Sequence, residues 1–524
     1  KRQPNYRELE LPEEPEYVLP PVQTPALPTP RVSGGVSIFV SEIRVEGVTA
    51  LAPDQVAAVT APYEDREVTS GELQTLRLEL SKLYVDSGFV SSGVLLPDQE
   101  VVDGVVVYQA VEGRLEEIEL VGEHHLRDAY VSGRIARRVE DPLDVNEVQD
   151  ALRHLQRDPN VERLDARLRP GTSPGSTVLS VGLDESPRFF FGAGSNNHRA
   201  TSTGGERAYV TGGWRNLTGF GEQFRGTLGI SDGADEAAAV LTVPITARND
   251  TIQAYYSRTD SDIVEQRFDD LDITSDTDTV GVLLNIPIVD TLENELSLTL
   301  GVEVVDSDTE LDGEPFSFSP GADNGETKTA PAMFGLDWVH RTTNTVTGIR
   351  TTYRRGIDWL DATIYERDLD DPVCGLQGLG FDPCNPAGAD GEFDVLQTQL
   401  LFIQRLAGIN DRAQLILRST GQFSQDALFS QEKLAIGGVN TVRGYPENTL
   451  VRDNGVTATV EVQLPVFGYQ AEPNPKNLVV APFSDYGISW DEEDTSPGSV
   501  DRDSSKKRWI ASLGFGLLWN PLEG

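Results

Sequence analysis

The residues best placed to do chemistry in this chain are one arginine and one aspartate. Arg443 lies in the run IGGVNTVRGY at residues 436–445, where the flanking glycines permit positive φ and close packing in a narrow space. Asp485 lies in the strand-like run APFSDYG at residues 481–487. A charge in an apolar strand is costly unless it meets water or a partner. We therefore predict that Arg443 and Asp485 form an ion pair inside a closed β-barrel.

Other reactive residue types are not arranged for catalysis. The five histidines are scattered and lack serine, cysteine or metal-ligand partners at useful spacing. The Gly-Ala-Gly-Ser run that begins at Gly192 lies in a predicted strand and is not a phosphate-binding loop. We expect no enzyme activity, no metal and no cofactor. The histidines are His124, His125, His154, His198 and His340.

The two cysteines, Cys374 and Cys384, lie close together in a segment rich in glycine and proline. A close pair in such a segment predicts a disulfide and hence an oxidising compartment. No histidine is nearby, which argues against a metal site.

Composition excludes one class of partner. The net charge is −41, from 43 basic and 84 acidic residues, and nucleic-acid binding needs basic patches instead. The mean hydropathy is −0.30, and no run approaches the ~18 apolar residues of a membrane helix. Transmembrane β-strands remain allowed, because they alternate lipid-facing and lumen-facing residues and average to a polar composition.

The first 186 residues contain a proline-rich stretch followed by two repeats of one secondary-structure pattern. Residues 1–35 are rich in proline, which disfavours a long helix and predicts an extended tether; we interpret Lys1 as a mature or trimmed terminus. Residues 36–113 and 114–186 each follow a β-α-α-β-β pattern. In the first, helices are predicted at 53–60 and 70–87 and strands at 38–45, 89–96 and 105–111. In the second, helices are predicted at 126–139 and 145–157 and strands at 115–121, 161–168 and 177–183.

From residue 187 onward, short runs of alternating polar and apolar residues replace the helical pattern. A soluble β-sandwich also alternates, but polar residues opposite a lipid-facing row fit a wet lumen better. Trp509 and Trp519 begin and end one apolar row and would span ~25 Å along a membrane normal, the height between aromatic girdles. The connections alternate short and long, as periplasmic turns and external loops do. Fourteen strands are predicted to begin near residues 188, 206, 222, 236, 251, 278, 295, 328, 345, 393, 412, 455, 476 and 507.

Two sets of residues resemble a known family. Val442, Arg443, Gly444 and Tyr445, with Phe483 two residues before Asp485, resemble the lumen-loop tetrad and the Phe-x-Asp strand of the Omp85 superfamily. The runs YVDSGFV at 84–90, LPDQ at 96–99, Asp-Gly at 103–104 and EGRL at 112–115 resemble the first POTRA domain of its two-partner secretion transporters, the haemolysin secretion/activation protein family.

The resemblance implies two tandem α+β POTRA domains, at 36–113 and 114–186, followed by an antiparallel transmembrane β-barrel at 187–524. The family barrel has sixteen strands and about fourteen are recognisable here, so we expect that the last two are missing from a truncated C-terminus. The implied site comprises the loop residues Val442, Arg443 and Tyr445 and the wall residues Phe483 and Asp485. Gly438 and Gly444 would let the loop pack tightly against the wall.

The implied function is transport from the periplasm to the cell surface across the outer membrane of a Gram-negative bacterium. The cargo would be one large exoprotein of the adhesin or haemolysin type, bound unfolded by the POTRA domains and moved without nucleotide. We expect a monomer surrounded by outer-membrane lipid, with its POTRA domains in the periplasm. A barrel-assembly factor of the same superfamily is the alternative, although it favours more POTRA domains; a soluble secreted β-rich enzyme is a third reading.

Overall fold

The computed structural model describes residue 19 and residues 37–265, 271–318, 321–365, 389–410, 412–467, 478–491 and 507–519. The chain divides into two compact units. The N-terminal unit holds Pro15–Arg188 and Arg215–Gly221, and the sheet unit holds Phe189–Trp214 and Glu222–Gly524. None of the described helices is long and apolar enough to cross a membrane.

The first β-α-α-β-β domain is built around helix α2, Ser70–Asp86. Thr69 caps that helix, and its side chain and that of Glu72 exchange hydrogen bonds with each other's backbone N–H groups. The core face of α2 carries Leu73, Leu76 and Leu80, as predicted. The elements are β1 Ser37–Val40, β2 Glu42–Glu46, α1 Pro53–Thr60, a 3-10 helix at Ala61–Tyr63, β3 Arg66–Thr69, α2 Ser70–Asp86, β4 Gly93–Leu95 and β5 Val105–Val111.

Three features of this domain differ from the prediction. The single strand predicted at 38–45 is divided into β1 and β2, which belong to different sheets. The strand predicted at 89–96 is limited to β4, because turns follow the end of α2: the Phe89 N–H bonds to the Tyr84 carbonyl and the Ser92 N–H to the Phe89 carbonyl. The strand β3 was not predicted, and it pairs with β1 in a small sheet separate from the β2-β5-β4 sheet.

The second β-α-α-β-β domain has a three-stranded sheet in the order β6 (Arg114–Val121), β8 (Ser176–Glu185), β7 (Val161–Pro170). Its core is formed by the buried faces of both helices and includes Val148, Leu152 and Leu155 of the second helix. Leu19, from the proline-rich lead, is buried in the same core, and its backbone N–H donates to Oε1 of Gln149 at 3.0 Å. The elements are β6 Arg114–Val121, α3 Asp128–Ala136, α4 Val145–Gln156, β7 Val161–Pro170 and β8 Ser176–Glu185.

Within the described residues, the sheet unit is one large antiparallel sheet in which fourteen strands follow one another in chain order. All fourteen predicted strands are found. Two short strands, β16 Glu314–Pro315 and β17 Glu326–Thr329, pair with β15 in addition. Among the described residues β9 pairs only with β10, and β26 only with β25. The fourteen strands are β9 Phe189–Asn196, β10 Arg207–Arg215, β11 Gln223–Ser231, β12 Ala234–Pro244, β13 Thr251–Asp262, β14 Ile273–Asp290, β15 Asn294–Leu311, β18 Pro331–Arg341, β19 Thr345–Gly356, β20 Asp394–Arg405, β21 Gln414–Ser424, β24 Asn454–Phe467, β25 Leu478–Trp490 and β26 Arg508–Trp519.

The two faces of this sheet differ in chemistry because successive side chains alternate between them. We call the face that carries Asp485 the inner face; its buried charged residues include Glu303, Glu461 and Asp485. The outer face exposes large apolar side chains. Among them are Phe334, Leu336, Trp338, Val460, Tyr486, Leu513, Phe515 and Leu517.

Candidate functional site

The segment of residues 425–453, between β21 and β24, folds back onto the inner face of the sheet. We call it the inner loop. Its base, residues 425–436 and 450–453, includes the short hairpin of β22 Leu434–Ile436 and β23 Leu450–Arg452, and residues 437–449 form its tip. The paired strands β22 and β23 fix the two ends of the tip. The position of the tip itself depends on the contacts that residues 437–449 make with the sheet.

Arg443 contacts two carboxylates of the sheet. Its backbone N–H donates to Oδ2 of Asp485 at 3.0 Å, and its Nε and NH2 groups donate to the two oxygens of the same carboxylate at 2.8 Å each. Its NH1 group donates to Oε2 of Glu461 at 2.6 Å. The side chain of Asp485 is fully buried, and that of Glu461 is 7% exposed. Bidentate pairs of this kind are among the strongest hydrogen bonds in proteins.

Phe483 completes the enclosure of the guanidinium. The Cζ atom of Arg443 lies 3.4 Å from the centroid of the Phe483 ring, a distance suited to a cation–π contact. Phe483 and Asp485 are two residues apart on β25, so both point to the inner face. The structure thus brings together Arg443, Phe483 and Asp485.

Glycines make the tip of the loop possible. Gly438 and Gly444 have φ angles of +92° and +87°, a region that other residues enter at a cost. A Cβ atom on Gly438 would also collide with the carboxylate of Glu447, which accepts a hydrogen bond from the Val439 N–H at 2.8 Å. Both predicted glycines therefore occupy positions that require glycine.

The remaining tetrad residues have unequal roles. Val442 is fully buried and packs with Ile436 in a small cluster on the sheet. A Cβ atom on Gly487 of β25 would lie 2.6 Å from Ile436 and 2.9 Å from Val442, so the sheet also lacks a side chain where the loop rests. Tyr445 is 36% exposed and forms no hydrogen bond among the described residues.

Sequence reasoning missed Glu461, the second carboxylate that binds Arg443. The predicted cysteine pair lies outside the described residues. Glu461, on β24, is held by Arg443 and also accepts from Nε2 of Gln463 at 2.9 Å. It carried the same signal as Asp485, a carboxylate within a strand. Cys374 and Cys384 lie within residues 366–388, which the structure does not describe. No group of three or more potential metal ligands occurs among the described residues.

The family-like residues of the first domain are structural. Glu112 accepts hydrogen bonds from the backbone N–H groups of Thr49 and Ala50 at 2.7 and 2.8 Å and from the Tyr84 hydroxyl at 2.9 Å. Burial opposes ionisation of Glu112, but these hydrogen bonds outweigh it and hold the pKa of the carboxyl below its ordinary value. Gln99 bonds through both ends of its amide to the backbone of Val107, just past the end of β4.

Comparison with known proteins identifies the family. Residues 175–517 match the family described as haemolysin secretion/activation protein ShlB/FhaC/HecB, and residues 38–113 match the POTRA domain of ShlB type. The chain belongs to the haemolysin secretion/activation family. As a member it is an outer-membrane transporter of the two-partner secretion kind, with its POTRA domains in the periplasm.

Individual relatives agree with this assignment. The outer membrane transporter CdiB of Dickeya dadantii is 23% identical over 448 residues, covering 83% of this chain and 74% of its own. The structure of CdiB from Escherichia coli matches with a TM-score of 0.63 at 21% identity, covering 94% of this chain and 86% of that one. BamA from Haemophilus ducreyi, lacking POTRA domains 1–3, matches with a TM-score of 0.54 at 13% identity, over 92% of this chain and 94% of that one. The likeness to BamA is one of fold alone.

Proposed function

We propose that this transporter secretes one large partner exoprotein, which the POTRA domains capture unfolded and which crosses the membrane through the barrel as the inner loop is displaced. The observation that carries the proposal is the enclosure of Arg443 by Asp485, Glu461 and Phe483. Removal of one partner from a buried ion pair costs about 3–5 kcal/mol, so the loop stays in place until an arriving chain replaces its contacts. No nucleotide is needed, since folding of the cargo outside opposes its return.

Capture falls to the second POTRA domain, because side chains bond to a backbone N–H group on each edge strand of the β2-β5-β4 sheet of the first. There, the Ile43 N–H on β2 donates to Glu64 at 3.0 Å and the Val94 N–H on β4 donates to Ser81 at 2.9 Å. Within the described residues, by contrast, no side chain bonds to the backbone of β6. An open edge of this kind can take an added strand from an unfolded chain.

A groove beside β6 supports the same assignment. It lies between β6 and α3, has a volume of about 350 Å³, and is lined by side chains of both elements. Side chains of an added strand could enter it. The lining includes Leu115, Ile118, Ser132, Gly133 and Ala136. A photo-crosslinking residue placed at 118 should trap the partner during secretion, and the same residue at 44, which is exposed on β2, should not; equal trapping at both positions would contradict the assignment.

The outer face of the sheet is suited to outer-membrane lipid around a single copy of the chain. Its apolar side chains, such as Leu336 and Phe515, are exposed although large, which fits contact with lipid tails. Toward one end of β13–β15 the same face becomes charged. There Asp260, Asp276 and Asp308 occupy matching positions on adjacent strands. We place the edge of the lipid between these acidic residues and the apolar band.

The test is Arg443→Ala in the native host. The proteins in the culture medium are compared by mass spectrometry between a transporter deletion and strains complemented with wild type or variant. A large protein should disappear on deletion, return with wild type and stay absent or sharply reduced with Arg443→Ala. Heat-modifiable migration of the variant from outer membranes checks that its barrel still inserts.

The matched control is Arg355→Ala. This arginine of β19 is exposed on the outer face of the sheet, where it pairs with Asp394 at 3.0 Å. Its removal should therefore leave secretion unchanged. Normal secretion by an inserted Arg443→Ala variant would contradict the proposed role of the inner loop.

A further inference from the structure

A second charged cluster on the inner face holds the base of the inner loop. Its centre is Arg354 of β19, whose NH1 group donates to Oε2 of Glu432 at 2.5 Å. The NH2 group of Arg354 donates to Oε1 of Glu432 at 3.2 Å and to Oε1 of Glu303 on β15 at 2.9 Å. Glu432 belongs to the inner loop, and its side chain is only 1% exposed. One arginine therefore lies between two carboxylates, as at the tip.

Neutral donors complete this cluster. Oε1 of Glu432 also accepts from the hydroxyl of Thr329, a fully buried residue of β17, at 2.9 Å. Oε2 of Glu303 accepts from the hydroxyl of Tyr255 on β13 at 2.5 Å. The Glu432 carbonyl accepts from Nε2 of Gln422 at 3.0 Å. The base of the loop is thus bonded through its side chain and through its backbone.

The two clusters lie on different parts of the sheet. Arg443, at the tip, is bound by β24 and β25, which follow the loop in the chain. Glu432, at the base, is bound by β17 and β19, on the far side of β20 and β21 in the strand order. The inner loop is therefore fixed to two separate stretches of the inner face.

We propose that Arg354 is a second positioning residue of the transporter, which holds the base of the inner loop so that the loop obstructs the passage until both clusters open. This inference rests on the proposed function, because it assumes that cargo passes along the inner face. The charges are arranged in the opposite way to those at the tip. At the tip the loop supplies the arginine, whereas here the sheet supplies the arginine and the loop supplies a carboxylate.

The charges make the test specific. Arg354→Glu would bring three carboxylates together at residues 303, 354 and 432, which repel one another and expel the loop base. Adding Glu432→Arg to it restores one arginine between two carboxylates, with the arginine now on the loop. A residue that only fills space would not be rescued by this exchange.

The experiment measures ion conductance of the purified full-length protein in planar lipid bilayers. Arg354→Glu should raise the fraction of time spent conducting by about tenfold or more, since even a small loss of loop attachment shifts such a population strongly. The double variant Arg354→Glu with Glu432→Arg should return to the wild-type value. Arg355→Glu, next to it on the outer face, is the control and should match wild type.

The outcomes separate this inference from the proposed function. If Arg443→Ala raises the conductance and Arg354→Glu does not, the second anchor is wrong and the role of the loop stands. If neither variant changes the conductance, the proposed function fails. A raised conductance that the exchange does not restore also overturns the anchor. Should Arg354→Glu fail to insert, Glu432→Arg alone alters the loop without altering a strand and must raise the conductance.

Discussion

Each unit of this chain holds a carboxylate in place, and the two units use different chemistry to do so. In the N-terminal unit, Glu112 is surrounded by neutral donors, the N–H groups of Thr49 and Ala50 and the hydroxyl of Tyr84. In the sheet unit, Asp485 receives all three of its shortest hydrogen bonds from Arg443. The first carboxylate is held by dipoles, and the second by an opposite charge.

The difference fits what each region does. The donors to Glu112 belong to the folded framework of one small domain, so the contact lasts as long as the domain is folded. The donor to Asp485 belongs to a loop. If the loop leaves during transport, as we propose, Asp485 and Glu461 remain close to each other without their counter-ion, which is costly in a buried site. An ion pair such as that of Arg443 with Asp485 therefore suits a contact that opens and then forms again.

The largest effect should follow from Asp485→Ala. The change removes three hydrogen bonds to Arg443 and leaves the guanidinium with Glu461, so we expect the inner loop to lose about 3–5 kcal/mol of attachment. Glu461→Gln should cost less, about 1–3 kcal/mol, because the bidentate contact remains. Amide hydrogen exchange of residues 437–449 in detergent measures both.

The control for this pair is Asp394→Ala. Asp394 binds the exposed Arg355, and exposed ion pairs contribute at most about 1 kcal/mol. If exchange in the tip of the inner loop were equally fast in Asp394→Ala and Asp485→Ala, the distinction between buried and exposed charge pairs would fail.

The apolar band of the outer face extends the comparison, because a charge placed there would have no partner of either kind. Leu336, 40% exposed, lies in the middle of β18. Leu336→Arg should destabilise the barrel by about 2–4 kcal/mol, the cost of a lipid-facing arginine near the bilayer midplane. Reversible urea unfolding in lipid vesicles measures this difference.

The matched substitution is Asp308→Arg, on the same face but in the acidic row. There Asp308 lies directly opposite Asp276 and Glu326 on the neighbouring strands. Like charges directly opposite each other are unfavourable, so this arginine should be neutral or stabilising. A loss of stability equal to that of Leu336→Arg would show that the proposed lipid edge is misplaced.

The parts of this structure that were predictable are those with a short sequence period. Alternation revealed the strands, as in Trp509–Trp519, and a leucine every third or fourth residue revealed α2. Arg443 and Asp485 each stand out within their own run, one between glycines and the other inside an apolar strand, but it was the resemblance to the Omp85 superfamily that supported pairing them.

The parts that were missed depend on contacts between distant residues of ordinary type. Arg354 and Glu432 are separated by 78 residues, and each is an unremarkable charge in its local sequence. The strand predicted at 89–96 was too long because its β-branched and aromatic residues gave no sign of the turn that begins at Gly88, where φ is +98°. Only the packed structure decides these points.

In the N-terminal unit the expected effects are smaller. Glu112→Ala should destabilise the first POTRA domain by about 1–3 kcal/mol, since it leaves the Tyr84 hydroxyl and two backbone N–H groups without their acceptor. Glu112→Gln should cost less, because one amide oxygen still accepts. Amide exchange of residues 37–113 in the full-length protein measures the loss. An equal cost for the two variants would contradict the view that an acceptor at this position keeps part of the stabilisation even without a charge.

The smallest effect should be the pH dependence of the same domain. The pKa of Glu112 lies below its ordinary value, and that of Glu72 is lowered to about 2, mainly by a hydrogen bond from the Thr69 N–H. A carboxyl with a depressed pKa stabilises the fold above its unfolded pKa, about 4.3, and loses that contribution as the pH falls through the folded value.

Protection of residues 37–113 against amide exchange, corrected for intrinsic exchange rates, should therefore be constant from neutral pH to about pH 5 and decline below it. Glu112→Gln should decline less over the same range. A decline that is unchanged in this variant would mean that Glu112 is no more easily ionised in the folded domain than in the unfolded chain, and the contrast with Asp485 would lose its electrostatic basis.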